Sequence, residues 1–143
     1  MAEHATQGII GHGSRLQRGG LLDTDPFTDV HECTDFKPPN AQRDKHEVSH
    51  YESPDQQKEN IAGMIDNGQA TAVLTWRPDI YAEHASFRSD KNDGLLRYYR
   101  FIGPNAMETI TFRASVTGLE RNYPANGPIT ATVTFEVNNT TEV

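Results

Sequence analysis

The stretch "GPITATVTFEVNN", residues 127–139, alternates without a break. Ile129, Ala131, Val133, Phe135 and Val137 fall on one side, and Thr130, Thr132, Thr134 and Glu136 fall on the other. A period of two, filled with β-branched and aromatic residues, describes a half-buried strand. The segments around it repeat the pattern. "METITFRASVTG" (107–118) sets Ile110, Phe112, Ala114 and Val116 against Thr109, Thr111, Arg113 and Ser115. "GQATAVLTWRP" (68–78) sets Ala70, Ala72, Leu74 and Trp76 against Gln69, Thr71, Val73, Thr75 and Arg77. "LLRYYRFIG" (95–103) is apolar enough for a half- or fully buried strand. "PFTDVHECTDF" (26–36) predicts a weaker one, with Phe27, Asp29, His31 and Cys33 on one face and Val30 opposite.

One helix interrupts this series. In "RPDIYAEHASFRSDKNDG" (77–94), Asp79 is placed to cap the N-terminus. Ile80, His84 and Phe87 share one face, and Gly94 suits the stop. The expected helix therefore covers about residues 80–90. The result is a mainly β chain with one short helix before its last strands. It shows no βαβ alternation of the kind a parallel nucleotide-binding sheet needs.

The 143 residues suffice for one domain with a proper core. No apolar run is long enough for a membrane helix, and the N-terminus lacks the basic and apolar regions of a signal peptide. A single cysteine, Cys33, makes no internal disulfide, which fits a chain made and kept in a reducing cytoplasm or one built to last without bridges. Cys33 itself reads as a half-buried strand residue. The net charge of −7 is the wrong sign for gripping phosphates. It suits a protein that lets DNA pass without sticking, and equally one that is merely soluble.

"HEVSH" (46–50) fits the zinc-protease signature H-E-x-x-H. That chemistry needs a helix, so that His46 and His50 share a face with Glu47 near the bound water. The flanking residues offer too few apolar positions to bury one. As a strand, His46, Val48 and His50 point one way and Glu47 the other, which separates the ligands from the base. "GHGS" (11–14) lacks a phosphate-loop frame and reads as a flexible N-terminal turn. Asp23, Asp25 and Asp29 read as a solvated acidic loop rather than a Ca²⁺ site. "NNT" (138–140) matches a glycosylation acceptor without any other sign of secretion. Neither a reaction nor a cofactor is written here.

The segment from Tyr51 to Gly68 reads as a long polar loop. It holds Pro54 and an apolar patch of Ile61, Ala62, Met64 and Ile65. Such a patch either tucks onto its own domain or needs a partner surface.

The order of these pieces resembles the tail tube (major tail) proteins of long, non-contractile-tailed bacteriophages, including the lambda-like group. The resemblance is carried by "GHGSRLQRGG", then "PFTDVHECTDFKPPN", then "SPDQQKENIAGMIDNGQATAVLTWRPD". The helix and aromatic strand follow, and "METITFRASVTGLERNYPANGPITATVTFEVNN" closes the pattern. It covers roughly residues 8–138. Two departures stand out: "GPNAMETITF" lacks the aromatic-rich sheet start of many relatives, and the tail after Val137 is short.

The resemblance implies a β-sandwich or half-barrel flanked by one helix. It implies six copies per ring, with rings stacked into a hollow virion tail tube that conducts DNA. The subunit would be made in the bacterial host cytoplasm and would not insert into a membrane. Implied partners are further copies of the chain, a tape measure protein in the lumen, tail terminator and distal tail proteins, and DNA in passage. The 51–68 loop would bridge neighbouring subunits or rings through Tyr51, Ser53, Pro54, Ile61, Ala62, Met64 and Ile65. The lumen would be lined by the Thr130, Thr132, Thr134, Glu136 face or by the Thr109, Thr111, Arg113, Ser115 face. Alternatives are a tail-completion protein, a contractile or secretion-system tube protein, a zinc peptidase built on His46, Glu47 and His50, and a β-sandwich binding module.

Overall fold

A computed structural model describes residues 13–50 and 57–142. Among these residues nine strands and one α-helix follow in order: β1 Arg15–Arg18, β2 Thr28–Asp29, β3 Cys33–Lys37, β4 Gln42–Glu47, β5 Asn60–Asp66, β6 Gln69–Thr75, α1 Ala82–Asp93, β7 Arg97–Ile102, β8 Thr109–Asn122 and β9 Thr130–Glu142. Seven of the strands form one curled, antiparallel half-barrel sheet in the order β2-β1-β7-β8-β9-β6-β3. Strands β4 and β5 stand apart as a two-stranded arm.

The alternation in the sequence sets the layers. Ala70, Ala72, Leu74, Ile110, Phe112, Ala114, Val116, Ala131, Val133, Phe135 and Val137 are all buried. Their polar alternates lie on the reverse of the sheet. The core is aromatic at its centre: Tyr99 and Phe135 have ring centroids 4.7 Å apart, and Phe112 stands 5.6 Å from Phe135 in an edge-on arrangement. Phe36 on β3 stacks on Phe101 of β7 at 4.5 Å, so the curled sheet packs its two halves against each other.

The halves exist because the long strands are staggered. β8 pairs with β7 only over Thr109–Ala114, but with β9 from Ile110 to Asn122. β9 pairs with β6 only over Thr130–Glu136. One half is therefore β3, β6, the start of β9 and the end of β8. The other is β2, β1, β7, the start of β8 and the end of β9.

The helix differs from its expected form at the N-terminus. It begins at Ala82 behind Tyr81, which makes no side-chain cap, while Asp79 instead binds Arg77 through two contacts of 3.0 and 2.9 Å. Ile80 is consequently exposed, and the inward face is His84, Phe87 and Asp90. Gly94 ends the helix in the left-handed conformation, as its sequence position suggests. His84 joins three segments. Its Nδ1 accepts the Arg77 N–H at 3.0 Å, and its Nε2 stands 2.7 Å from the His31 carbonyl oxygen. With Nδ1 as acceptor, Nε2 is the nitrogen that carries the proton.

Asp90 pins the helix to the sheet. Its carboxylate takes two bonds from Arg18 at 2.8 and 2.7 Å and one from the Tyr99 hydroxyl at 2.9 Å. Arg97 Nε lies 2.8 Å away, close enough for an ion pair though not aligned as a hydrogen bond. The bond to Asp90 raises the Arg18 guanidinium above its ordinary pKa. Burial, reinforced by the same carboxylate, raises the Tyr99 phenol.

Two further expectations are corrected. Residues 26–36 do not form one strand: β2 and β3 are separated at Glu32, whose φ of 62° turns the chain. The 51–68 segment is not a loop throughout, because Asn60–Asp66 is strand β5. Strand β1 has no counterpart among the expected elements.

Candidate functional site

The arm comes first, because it carries the residues expected to make contacts. β4 and β5 pair antiparallel from Gln42↔Asp66 to Glu47↔Asn60, with an irregularity between Arg43 and Lys45. The pairing continues outward: Val48 N–H donates to the Glu59 carbonyl at 2.8 Å, and Glu59 N–H donates to Ser49 Oγ at 2.7 Å. Every residue of β4 is exposed, and Gly63 is the one half-buried residue of β5. A two-stranded ribbon is marginal in water without a surface to lie on. This one also exposes apolar side chains: Val48, Ile61, Met64 and Ile65 are 41%, 54%, 83% and 50% exposed. Of the expected contact residues, Ile61, Ala62, Met64 and Ile65 sit on β5, while Tyr51, Ser53 and Pro54 lie outside the described residues.

"HEVSH" falls on this arm. His46 is in β4 opposite Ile61, and His50 Nε2 lies 3.3 Å from a Glu59 carboxylate oxygen. The helix that H-E-x-x-H requires is not formed. Along an extended chain the two histidines stand about 13 Å apart, too far to share a zinc ion. Among the described residues no group of three or more His, Cys, Asp or Glu is placed to hold a metal. Asp25 and Asp29 are engaged elsewhere: Asp25 accepts the Leu22 N–H at 3.1 Å, and Asp29 accepts from Gln17 at 2.8 Å. Cys33 is half-buried beside the Asp35 carbonyl, and burial raises its thiol pKa to about 11, which disfavours the thiolate.

The second surface is the non-core face of the sheet. In the half formed by β3, β6, β9 and β8, cross-strand rows bring Lys37, Thr71, Thr134 and Gly118 together. The next row is Asp35, Val73, Thr132 and Glu120, followed by Thr75, Thr130 and Asn122. Gln69, Glu136 and Ser115 form another row, with Gln69 Nε2 donating to Glu136 at 3.0 Å. This surface is threonine-rich and carries three carboxylates, Asp35, Glu120 and Glu136, against one ammonium, Lys37. Thr109, Thr111 and Arg113 lie on the same side of the sheet but in the other half, beside Arg15 and Arg100. The two faces weighed as alternatives from sequence are thus one continuous surface with an acidic half and a basic half. Sequence reading missed the basic half because β1 was not foreseen and the faces of β7 were not assigned.

The model of the lambda phage tail tube protein family matches residues 14–143. The chain belongs to that family. As a tail tube protein it is a structural component of a virion tail. Solved structures share the fold at low identity. The tail of an empty gene transfer agent particle, refined with sixfold symmetry, superposes with a TM-score of 0.72 at 12% identity, covering 94% of this chain and 98% of that one. The SPP1 tail tube gives 0.68 at 9%, covering 94% and 78%. The sheath-tube complex of an extracellular contractile injection system gives 0.70 at 12%, covering 96% and 92%. No curated protein sequence matches the chain.

Proposed function

We propose that this tail tube protein closes into six-membered rings, that the rings stack, and that the threonine-rich half of its sheet lines the bore. The observation that carries this reading is the form of that half-sheet. Among the described residues it has four strands and two open edges: β3 pairs only with β6, and β8 beyond Ala114 pairs only with β9. Each successive pair is antiparallel, so the two edge strands run in opposite directions. Copies related by rotation keep their strand sense along the ring axis. The β8 edge of one copy therefore meets the β3 edge of the next in antiparallel sense, and the edges are satisfied around a closed barrel.

Six copies of four strands, spaced about 4.8 Å apart and tilted by 35–45°, make a barrel roughly 45–52 Å across at the backbone. Side chains narrow the bore to roughly 40 Å, wide enough for a DNA duplex or a tape measure protein. The lining's excess of carboxylates repels phosphates and leaves DNA few places to bind. The exposed arm reaches a neighbouring copy, where Ile61, Ala62, Met64 and Ile65 gain the cover that they lack in the free subunit. The tube ends would meet terminator and distal tail proteins. The subunit is made in the host cytoplasm, its role is mechanical, and no catalytic step is proposed.

Negative-stain electron microscopy of the concentrated protein tests this directly. Hollow tubes or six-fold rings of the stated bore are expected. Rings with a bore under about 25 Å would exclude the four-strand lining. The fold is shared with contractile injection systems, so a tube that copurifies with a sheath protein would move the assignment to that class.

A further inference from the structure

Three times in this chain an Asn or Asp precedes a glycine: Asn67–Gly68, Asp93–Gly94 and Asn126–Gly127. Glycine has no side chain to shield its backbone nitrogen from the side-chain carbonyl carbon before it. Attack of that nitrogen needs a near-attack geometry, and a turn held by hydrogen bonds forbids it. The fold holds two of the three pairs. Asn67 Nδ2 donates to the Asn138 carbonyl at 3.1 Å. The Gly68 N–H donates to Asp66 Oδ1 at 3.0 Å, and the Gly68 carbonyl accepts the Val137 N–H at 3.1 Å. Both Asn67 and Gly68 are half-buried. The Asp93 carboxylate accepts from the Leu95 N–H at 3.0 Å and from Arg97 at 2.8 Å, while the Gly94 N–H donates to the Asp90 carbonyl at 3.1 Å.

The third pair is open. Asn126 and Gly127 lie in the loop that joins β8 to β9, beyond the Asn122↔Thr130 pair. Residues 123–128 are all exposed. Neither the Asn126 amide nor the Gly127 N–H makes a hydrogen bond of ordinary length and angle among the described residues. Pro124 and Pro128 remove two backbone donors from the loop. Its nearest anchor is Ile129, whose carbonyl accepts the Trp76 N–H at 2.9 Å.

We propose that Asn126 is a site of spontaneous deamidation in the folded subunit. The Gly127 nitrogen gives its proton to water or hydroxide and attacks Asn126 Cγ. The Cγ–Nδ2 bond breaks, and ammonia leaves with a proton from solvent. Water then opens the cyclic imide at either carbonyl, which yields aspartate or isoaspartate. The net reaction turns an amide and a water into a carboxylate and an ammonium ion, with no oxidant or reductant. Each event adds one carboxylate to a chain whose net charge is already −7. The isoaspartate product also lengthens the backbone by one carbon at the hairpin tip. The proposal needs only the folded subunit and stands apart from the tube reading.

The test holds the purified full chain at mildly alkaline pH and follows each site by peptide mass spectrometry, with fragment ions locating the new acid. Methylation by an isoaspartyl methyltransferase reports the isoaspartate product. Asn67 has two hydrogen bonds to break before it reacts, so Asn126 should convert at least ~10-fold faster in the folded chain. In urea above the unfolding midpoint those bonds are gone, and the two sites should convert at similar rates. Gly127→Ala supplies the second readout. Its Cβ would stand 3.4 Å from Pro124 Cγ, an ordinary contact, so the variant should fold with the native fluorescence of Trp76 and convert several-fold more slowly at residue 126. Asn67 converting as fast as Asn126 in the folded chain, no acid at residue 126, or an unchanged rate in Gly127→Ala would each overturn the proposal.

Discussion

Replacing Asp90 by alanine is expected to cost about 3–5 kcal/mol, because it removes the buried carboxylate that neutralises Arg18. The Asp90 side chain has no exposed surface, and that of Arg18 is 23% exposed. After the substitution Arg18 loses both of its bonds and Tyr99 loses its acceptor, while Arg97 keeps Asp93 at 2.8 Å. For a chain of this length the unfolding entropy is about 0.3 kcal/mol/K, so Tm should fall by roughly 10–17 °C. Asp90→Asn preserves the shape and the Tyr99 contact but not the charge, and should cost about 1.5–3 kcal/mol. Tyr99→Phe should cost about 1 kcal/mol. The assay is urea unfolding followed by the fluorescence of Trp76, the only tryptophan, which is 2% exposed. An unchanged m-value would place the loss in the folded state. A cost below about 1 kcal/mol for Asp90→Ala would refute the reasoning, because the cluster would then only balance its own desolvation.

Two glycines with similar φ should respond differently. Gly68 has φ +70° and an added Cβ would stand 2.8 Å from the Asn40 carbonyl oxygen; Gly94 has φ +65° and open space around it. Gly94→Ala should cost about 1–2 kcal/mol from the left-handed backbone alone, and Gly68→Ala measurably more, both readable as shifts in the urea midpoint. Acid should loosen the helix start. Burial works to raise the Glu83 carboxyl, but the His31 contact and backbone bonds outweigh it and hold its pKa below 4.5. A depressed carboxyl contributes stability that is fully present above 4.5 and lost as pH falls below that value through the folded-state pKa. Glu83→Gln should flatten the acid limb of the stability profile in that window, and an unchanged limb would place the acid sensitivity elsewhere.

What the sequence by itself determined was the alternation of its longest strands and the stop of its helix. The buried faces of β6, β8 and β9 were legible residue by residue, because alternation at period two fixes which side of a strand is apolar wherever one face is covered. Gly94 was legible as a helix stop because the left-handed cap depends on one residue. The extended nature of "HEVSH" was legible from the lack of an apolar helical face. The family's order of motifs reached further than any local rule, since it identified the chain as a tail tube protein.

Tertiary structure alone decided what depends on distant partners. Asp90 looked like a polar residue in a helix tail, and nothing local joined it to Arg18, 72 residues earlier. Strand β1 is short and mostly polar, and exists because β7 gives it a ladder to complete. The stagger of β8 and β9 left no mark in either strand's alternation, although it creates the two half-sheets and their open edges. Side-chain period is a property of one strand. Stagger, burial of charge and the division of a sheet face into acidic and basic halves are properties of several strands together, and they are settled only when the strands have met.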